Sequence, residues 1–212
     1  MYRYLATLGF AFSAVALAAT GDISKVNGSI VVEAGQQAGD VETVNGSISI
    51  GRGSQVEDVE TVNGSVRMAD QAIAASADTV NGEIAVGAQG EIRKDATTVN
   101  GSLTLGKGAR VGGKLENVNG KLMLDGASVQ GGISTVNGDV YIASGSRVDG
   151  GIHVEKNHGW NWGRQPKNPR ITVESGAVVS GPLNFERLVD LYVGAGVALP
   201  PVEGVQPQRF TL

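Results

Sequence analysis

Apolar residues recur along the chain in pairs separated by one polar residue, and each pair follows an Asn-Gly step. The pairs are Ile30/Val32, Ile48/Ile50, Val66/Met68, Ile84/Val86, Leu103/Leu105, Leu122/Leu124 and Val140/Ile142. Successive side chains of a β-strand point to opposite faces, so this alternation predicts a short strand with one buried face.

The Asn-Gly steps themselves return at an almost constant interval. Their asparagines are Asn27, Asn45, Asn63, Asn81, Asn100, Asn119 and Asn137, with intervals of 18, 18, 18, 19, 19 and 18 residues. Self-similarity at a fixed short period is typical of a repeat protein. Each repeat is therefore expected to be one structural unit.

Two further apolar columns accompany the pairs in every repeat. One column holds Ala38, Val56, Ala74, Ile92, Val111, Val129 and Val148, and the other holds Val41, Val59, Ala77, Ala96, Leu115 and Ile133. Three short strands in about 18 residues predict one coil of an all-β, single-stranded triangular β-solenoid with roughly nine coils. Both hands of solenoid accommodate such coils.

The alternative architecture is an antiparallel meander with each Asn-Gly step at a hairpin tip, where this dipeptide is common. A meander would need only two clusters per repeat, and the extra residue of the longer repeats would reverse the faces of a hairpin strand. A solenoid can accommodate that residue at a corner. In a solenoid the asparagines also fall in one column, and we expect them to stack as a hydrogen-bonded amide ladder at a corner whose backbone favours Gly and Asn.

The ends of the chain differ from the repeats. Residues 1–18 combine Arg3, an apolar run and Ala16-Leu17-Ala18, which predicts a cleaved signal peptide and export to the periplasm or cell surface. An uncleaved anchor is the alternative, but the run is shorter than the ~20 residues of a spanning helix. We predict no transmembrane segment after cleavage, a solenoid domain at 19–199, and a Pro-containing C-terminal tail or cap at 200–212.

Composition narrows the functional classes. The 212 residues include no Cys and carry a net charge of −4. The net negative charge gives no reason to expect nucleic acid as a partner. Without cysteine, neither a disulfide framework nor a thiolate site can form. A column of carboxylates, Glu42, Glu60, Asp78 and Glu116, predicts an acidic stripe on the surface.

Two resemblances rest on the repeat phrases. Segments such as Gly108-Ala-Arg-Val-Gly-Gly-Lys-Leu and Gly145-Ser-Arg-Val-Asp-Gly-Gly-Ile resemble bactofilins, which are polymer-forming bacterial cytoskeletal proteins. The repeated Thr-Val-Asn-Gly-Ser-Ile is similar to the putative-adhesin β-solenoids of bacterial exported proteins. Both resemblances imply a non-enzymatic protein without catalytic residues or cofactors, although bactofilins are cytoplasmic and a signal peptide departs from that pattern.

The segment 156–170 interrupts the repeats as an inserted loop. It holds six candidate ligand-binding residues: His158, Trp160, Trp162, Arg164, Lys167 and Arg170. Tryptophans can stack on sugar rings while basic side chains meet carboxylate or phosphate groups, but the same tryptophans can also pack against the solenoid flank. We weigh His158 as the general base of a hexapeptide-repeat acyltransferase, and no second polar constellation accompanies it.

The sequence therefore predicts an exported structural or adhesin-like solenoid of the bacterial envelope, with no enzyme activity, no metal and no cofactor. The expected partners are further copies of the chain stacked as a homo-oligomer. A glycan- or peptidoglycan-binding module acting through loop 156–170 is the alternative.

Overall fold

The computed structural model describes residues 21–156 and 167–211. Within these ranges the chain forms 26 strands and no helix. The strands are β1 (Ile23–Asn27), β2 (Ile30–Val32), β3 (Val41–Asn45), β4 (Ile48–Ile50), β5 (Asp58–Asn63), β6 (Val66–Met68), β7 (Ile73–Ala74), β8 (Ser76–Asn81), β9 (Ile84–Val86), β10 (Glu91–Ile92), β11 (Ala96–Asn100), β12 (Leu103–Leu105), β13 (Arg110–Val111), β14 (Leu115–Asn119), β15 (Lys121–Leu124), β16 (Ser128–Val129), β17 (Ile133–Thr135), β18 (Asp139–Ile142), β19 (Arg147–Val148), β20 (Ile152–Val154), β21 (Arg170–Val173), β22 (Val178–Val179), β23 (Leu183–Phe185), β24 (Asp190–Val193), β25 (Val202–Gly204) and β26 (Gln208–Thr211).

The strands form three parallel sheets, which we call faces 1, 2 and 3. Face 1 has the order β1-β3-β5-β8-β11-β14-β17-β20-β23-β25, and face 2 has the order β2-β4-β6-β9-β12-β15-β18-β21-β24-β26. Face 3 holds the two-residue strands β7, β10, β13, β16, β19 and β22. The predicted β-solenoid is confirmed, and it has ten coils rather than nine, a rod of about 45 Å at ~4.8 Å per coil.

The tenth coil comes from the C-terminal tail. Strands β25 and β26 pair in parallel with β23 and β24 and so continue faces 1 and 2. Pro200 and Pro201 precede β25, and Pro207 precedes β26. Because the prolines lie outside the strands, their missing N–H groups remove no hydrogen bond from the ladder.

Register places each repeat directly on the next. Val41 pairs with Val59, Thr43 with Thr61 and Asn45 with Asn63. The register holds across the 19-residue repeats because the extra residue lies at the corner before face 1. Three residues separate Ile92 from Ala96, whereas two separate Ala74 from Ala77.

The core is built from the three predicted apolar columns. All of the members named above are buried, from Ile30 to Val148. Threonines at alternate positions of face 1 are also buried, and the hydroxyl of Thr61 donates to the Gly46 carbonyl at 3.0 Å. The buried interior of the described residues is therefore mainly apolar, and most of its polar side chains stand in this one column.

The glycines of the Asn-Gly steps are needed for a different reason from the one the sequence suggested. Only Gly28 and Gly120 of the seven have positive φ. At Gly64 the φ is ordinary, but a Cβ would overlap the carbonyl oxygen of Gly46 in the preceding coil. Close approach between coils, and not a left-handed backbone, excludes side chains at most of these corners.

Candidate functional site

The seven repeat asparagines form a continuous amide ladder along the corner between faces 1 and 2. In each step the Nδ2 of one Asn donates to the Oδ1 of the Asn in the preceding coil, at 3.0 to 3.1 Å, from Asn137 back to Asn27. The side chains at Asn45, Asn63 and Asn81 are exposed. The ladder thus fixes one corner of the rod without entering the core.

A row of exposed valines runs beside this ladder on face 1. We call Val26, Val44, Val62, Val80, Val99 and Val118 the valine row; their exposed fractions fall from 68% at Val26 to 36% at Val118. Alternation explains their direction, because Val41 and Thr43 point inward and Val44 therefore points outward. The sequence analysis missed this surface, although counting by two from the outward-facing Glu42 would have found it.

The predicted carboxylate stripe also lies on face 1, but Thr97 separates Glu116 from Asp78 and interrupts it. Glu42 pairs with Glu60, and Glu60 with Asp78, so the three acidic side chains stack in successive coils; we call them the acidic row. Burial, followed by the charges of Asp78 and Glu42, raises the pKa of Glu60 above its ordinary value. The row therefore concentrates like charge.

The pKa of Asp78 is raised as well. Burial is the main cause, and hydrogen bonds from Thr97 and Ser76 oppose it. Asp58 and Asp95 add further negative charge at the neighbouring corner. Even the least exposed member of the acidic row is thus surrounded by carboxylates.

The valine row and the acidic row line one open groove of about 600 Å³ on face 1. Val44 and Glu42 lie two residues apart on the same strand, so the two rows run in parallel along the rod axis. The groove extends from Ser24 to Val99. An extended surface that is apolar on one side and anionic on the other suits a contact with a partner rather than capture of a small molecule.

The predicted loop site is only partly described. His158, Trp160, Trp162 and Arg164 lie outside the described residues. Of the remaining two, Lys167 is exposed, with its Nζ 3.8 Å from the Oδ2 of Asp139, and Arg170 begins β21.

Arg170 belongs to a cluster that the sequence analysis did not find. Its guanidinium lies 5.1 Å from the ring centroid of Tyr192, and the Tyr192 and Phe210 rings stack at 4.6 Å with an angle of 16°. Phe210 is 41% exposed. We call Arg170, Tyr192 and Phe210 the basic-aromatic patch; Tyr192 and Phe210 meet because β24 and β26 pair in register.

The base of the loop is held by Arg187. Its guanidinium donates to the Asn137 Oδ1 at 2.8 Å, to the Val136 carbonyl at 3.3 Å and to the Lys167 carbonyl at 3.1 Å. Burial lowers the pKa of Arg187, yet arginine remains charged at neutral pH. The loop thus returns to the solenoid at a fixed position.

A second groove, of about 380 Å³, continues along face 1 towards the C-terminus. His153 points into it, with its Nε2 3.5 Å from the Oε1 of Glu186, and the Ser134 hydroxyl donates to Glu155 at 2.9 Å. Ser134 and His153 are register partners, but the hydroxyl is directed to a carboxylate and not to the imidazole. This geometry does not activate the serine as a nucleophile.

Residues 21–156 and 167–211 contain neither a candidate metal site nor a membrane-spanning helix. No group of three or more His, Cys, Asp or Glu side chains there could hold a metal ion. No helix in the same residues is long and apolar enough to cross a membrane.

Comparison with known proteins returns no matching family model, no matching curated protein and no matching solved structure. The class that the architecture itself defines is the parallel β-solenoid with about 18 residues per coil.

Proposed function

We propose that this protein is a non-enzymatic structural or adhesin-like rod of the bacterial envelope that assembles end to end. The observation that carries the proposal is the uncovered edge of the first coil. Among the described residues, β1 pairs only with β3 and β2 only with β4. Val26 and Val31 are 68% and 60% exposed, whereas Val44, in the same column as Val26 but one coil further on, is 42% exposed.

The edge has the chemistry that a further coil requires. The amide of Ile23 donates to the Asp40 carbonyl of the second coil. Peptide groups alternate in direction along a strand, so the amide of Ser24 faces away from that coil. Unpaired strand groups of this kind are a template for another chain.

The opposite end of the rod presents the complementary edge. Within residues 21–156 and 167–211, strands β25 and β26 also have one partner each. Contact between the first coil of one copy and the last coil of another is heterologous, and a repeated contact of this kind grows a filament when its rotation does not close a ring.

The envelope location rests on the predicted signal peptide at 1–18, which lies outside the described residues. The resemblance to bactofilins and to putative-adhesin solenoids supports a structural role, and the polymer-forming habit of bactofilins agrees with end-to-end assembly.

Sedimentation of the chain from residue 19 onward, over a range of concentrations, tests the assembly. We expect the sedimentation coefficient to rise with concentration and electron microscopy to show rods longer than one molecule. Ser24→Pro should abolish growth because it removes an edge amide, whereas Ser24→Ala keeps the amide and should assemble normally. A monomer at all concentrations, or equal assembly of the two variants, would refute the proposal.

A second candidate function, glycan binding, is favoured by the basic-aromatic patch. Stacked rings beside a guanidinium can hold a sugar face and a carboxylate at once. Retention on peptidoglycan should fall when Phe210→Ala is combined with Trp160→Ala and Trp162→Ala. Met123→Ala, on face 2 but distant from the patch, is the control, and unchanged retention of the triple variant would exclude this function.

A further inference from the structure

The groove of face 1 combines an apolar strip with a row of carboxylates, the acidic row of Glu42, Glu60 and Asp78, and the described Lys and Arg side chains form no ion pair with that row. Lys25 lines the groove at the first coil, but its Nζ donates to the Ser29 carbonyl at 2.9 Å, and Lys94 pairs with Asp58, 3.5 Å apart, at the adjoining corner. Stacked like charges on a sheet are unfavourable, and an external cation would relieve that repulsion.

The charge pattern argues against a second copy of the chain as the occupant. A second copy that met the groove through its own valine row would place no cation of the contact strip on the acidic row, and with its rod antiparallel it would oppose one acidic row to the other, which costs affinity. A partner with cationic side chains beside apolar ones is complementary to both rows. The groove therefore selects a basic amphipathic segment.

The spacing of the coils distinguishes between the forms such a segment could take. The rows repeat once per coil, every ~4.8 Å. An α-helix lying along the rod repeats every 5.4 Å, so three turns stay within about 2 Å of three coil steps. Side chains on one side of an extended strand repeat every ~6.8 Å, so the mismatch grows by about 2 Å per step and reaches about 6 Å over the same three steps.

We propose that the groove of face 1 binds a basic amphipathic α-helix of a partner protein, with the helix axis along the rod. Its apolar side chains cover Val44, Val62, Val80 and Val99, and its Lys or Arg side chains meet the acidic row. About three turns, or 11 residues, span this stretch. The helix docks on a lateral face, so this contact is separate from the end-to-end assembly proposed above.

The test uses a fluorescent 18-residue peptide of Leu, Lys and Ala with leucines and lysines on adjoining helical faces. Fluorescence anisotropy in 50 mM salt should show saturable binding that weakens at 300 mM salt. Neutralising the acidic row with Glu42→Gln, Glu60→Gln and Asp78→Asn should raise the Kd of the peptide by about tenfold. Neutralising Glu33, Glu91 and Asp125, which lie outside the groove, removes the same charge and should leave the Kd unchanged.

Two control peptides and one charge-reversal variant test whether the bound peptide is a helix aligned with both rows. A scrambled peptide of the same composition, and one interrupted by proline, should bind at least about tenfold more weakly, because only a helix aligns both rows. Glu60→Lys should weaken the binding of the basic peptide and strengthen the binding of a peptide in which Glu replaces Lys. Circular dichroism confirms that each variant is folded. Absent binding, equal binding of the scrambled or interrupted peptide, or an equal effect of the control neutralisations would overturn the proposal.

Discussion

The guanidinium of Arg187 donates a 2.8 Å hydrogen bond to the Oδ1 of Asn137, fifty residues earlier in the chain. Asn137 is the last member of the amide ladder, and its Oδ1 faces the coil in which the insertion replaces the Asn-Gly step. Arg187, one coil further on, reaches past that interruption and supplies the missing donor. It thereby ends the ladder and anchors the Lys167 carbonyl where the loop returns.

Replacing Arg187 with Leu should lower the free energy of unfolding by about 2 kcal/mol, because it leaves two half-buried acceptors, at Val136 and Asn137, and the exposed Lys167 carbonyl without their charged donor. Arg187→Lys should recover little of the loss, since an ammonium cannot reproduce the planar fork of the guanidinium. Urea unfolding measures both variants. Arg93→Leu, at an exposed corner, is the control, and an equal loss there would contradict the capping role.

The glycines of the Asn-Gly steps provide a second prediction. Gly64→Ala should destabilise the protein by about 3 kcal/mol, because its Cβ would overlap the backbone of the preceding coil. Gly53 has a φ of 66° and open space around its Cβ position, so Gly53→Ala should cost only about 1 kcal/mol.

Substitution by asparagine distinguishes a requirement for positive φ from a requirement for close approach between coils. Asn tolerates positive φ, so Gly53→Asn should be nearly neutral, whereas Gly64→Asn should destabilise the protein as strongly as Ala does. Thermal unfolding of the four variants measures these effects. If Gly64→Asn were tolerated, backbone conformation and not close approach would explain the corner.

The repeat period predicted much of this fold because identical residues must pair when coils stack. The columns of Ile48, Val56 and Val59 were found as buried strands, and the register followed from the interval. The coil count was one too low because Pro200 and Pro201 suggested an end to the ladder, yet they lie just outside β25.

The contact surfaces were harder to predict, and for physical reasons. The outward direction of Val62 and of Glu60 could be deduced from alternation, but the groove that the two rows line extends over several coils and is a property of the stacked face. Tyr192 and Phe210 stack only because a tenth coil forms. The role of Arg187 depends on an interruption between two coils, which no local pattern records.

Asn117 is the one buried side chain in the described residues with an unpartnered polar atom, its Nδ2. It stands in the column of buried threonines, and its Oδ1 accepts the Thr135 hydroxyl at 2.6 Å. Asn117→Thr should stabilise the protein by about 1 to 2 kcal/mol, because a threonine in register with Thr98 can donate to the Gly101 carbonyl.

The reverse substitution is the matched control for this column. Thr61→Asn would replace a hydroxyl that donates to Gly46 with an amide that has no partner for its second hydrogen, and it should destabilise the protein by a similar amount. Urea unfolding measures both variants. A less stable Asn117→Thr variant would show that the asparagine is optimal at its position.

The raised pKa of Glu60 predicts a pH-dependent stability effect of known sign. A carboxyl whose folded-state pKa is raised binds its proton more tightly in the folded protein, so its contribution falls as the pH rises through that pKa. Glu60→Gln should therefore stabilise the protein at pH 7, by at most about 0.5 kcal/mol since the side chain is exposed to solvent. The gain should disappear below the ordinary glutamate pKa of about 4.3, where the wild-type side chain is also neutral. Thermal unfolding at pH 7 and pH 3.5 measures the difference. Glu33→Gln, at an exposed position outside the groove, is the control. A gain in stability that persists at pH 3.5 would mean that charge repulsion is not its cause.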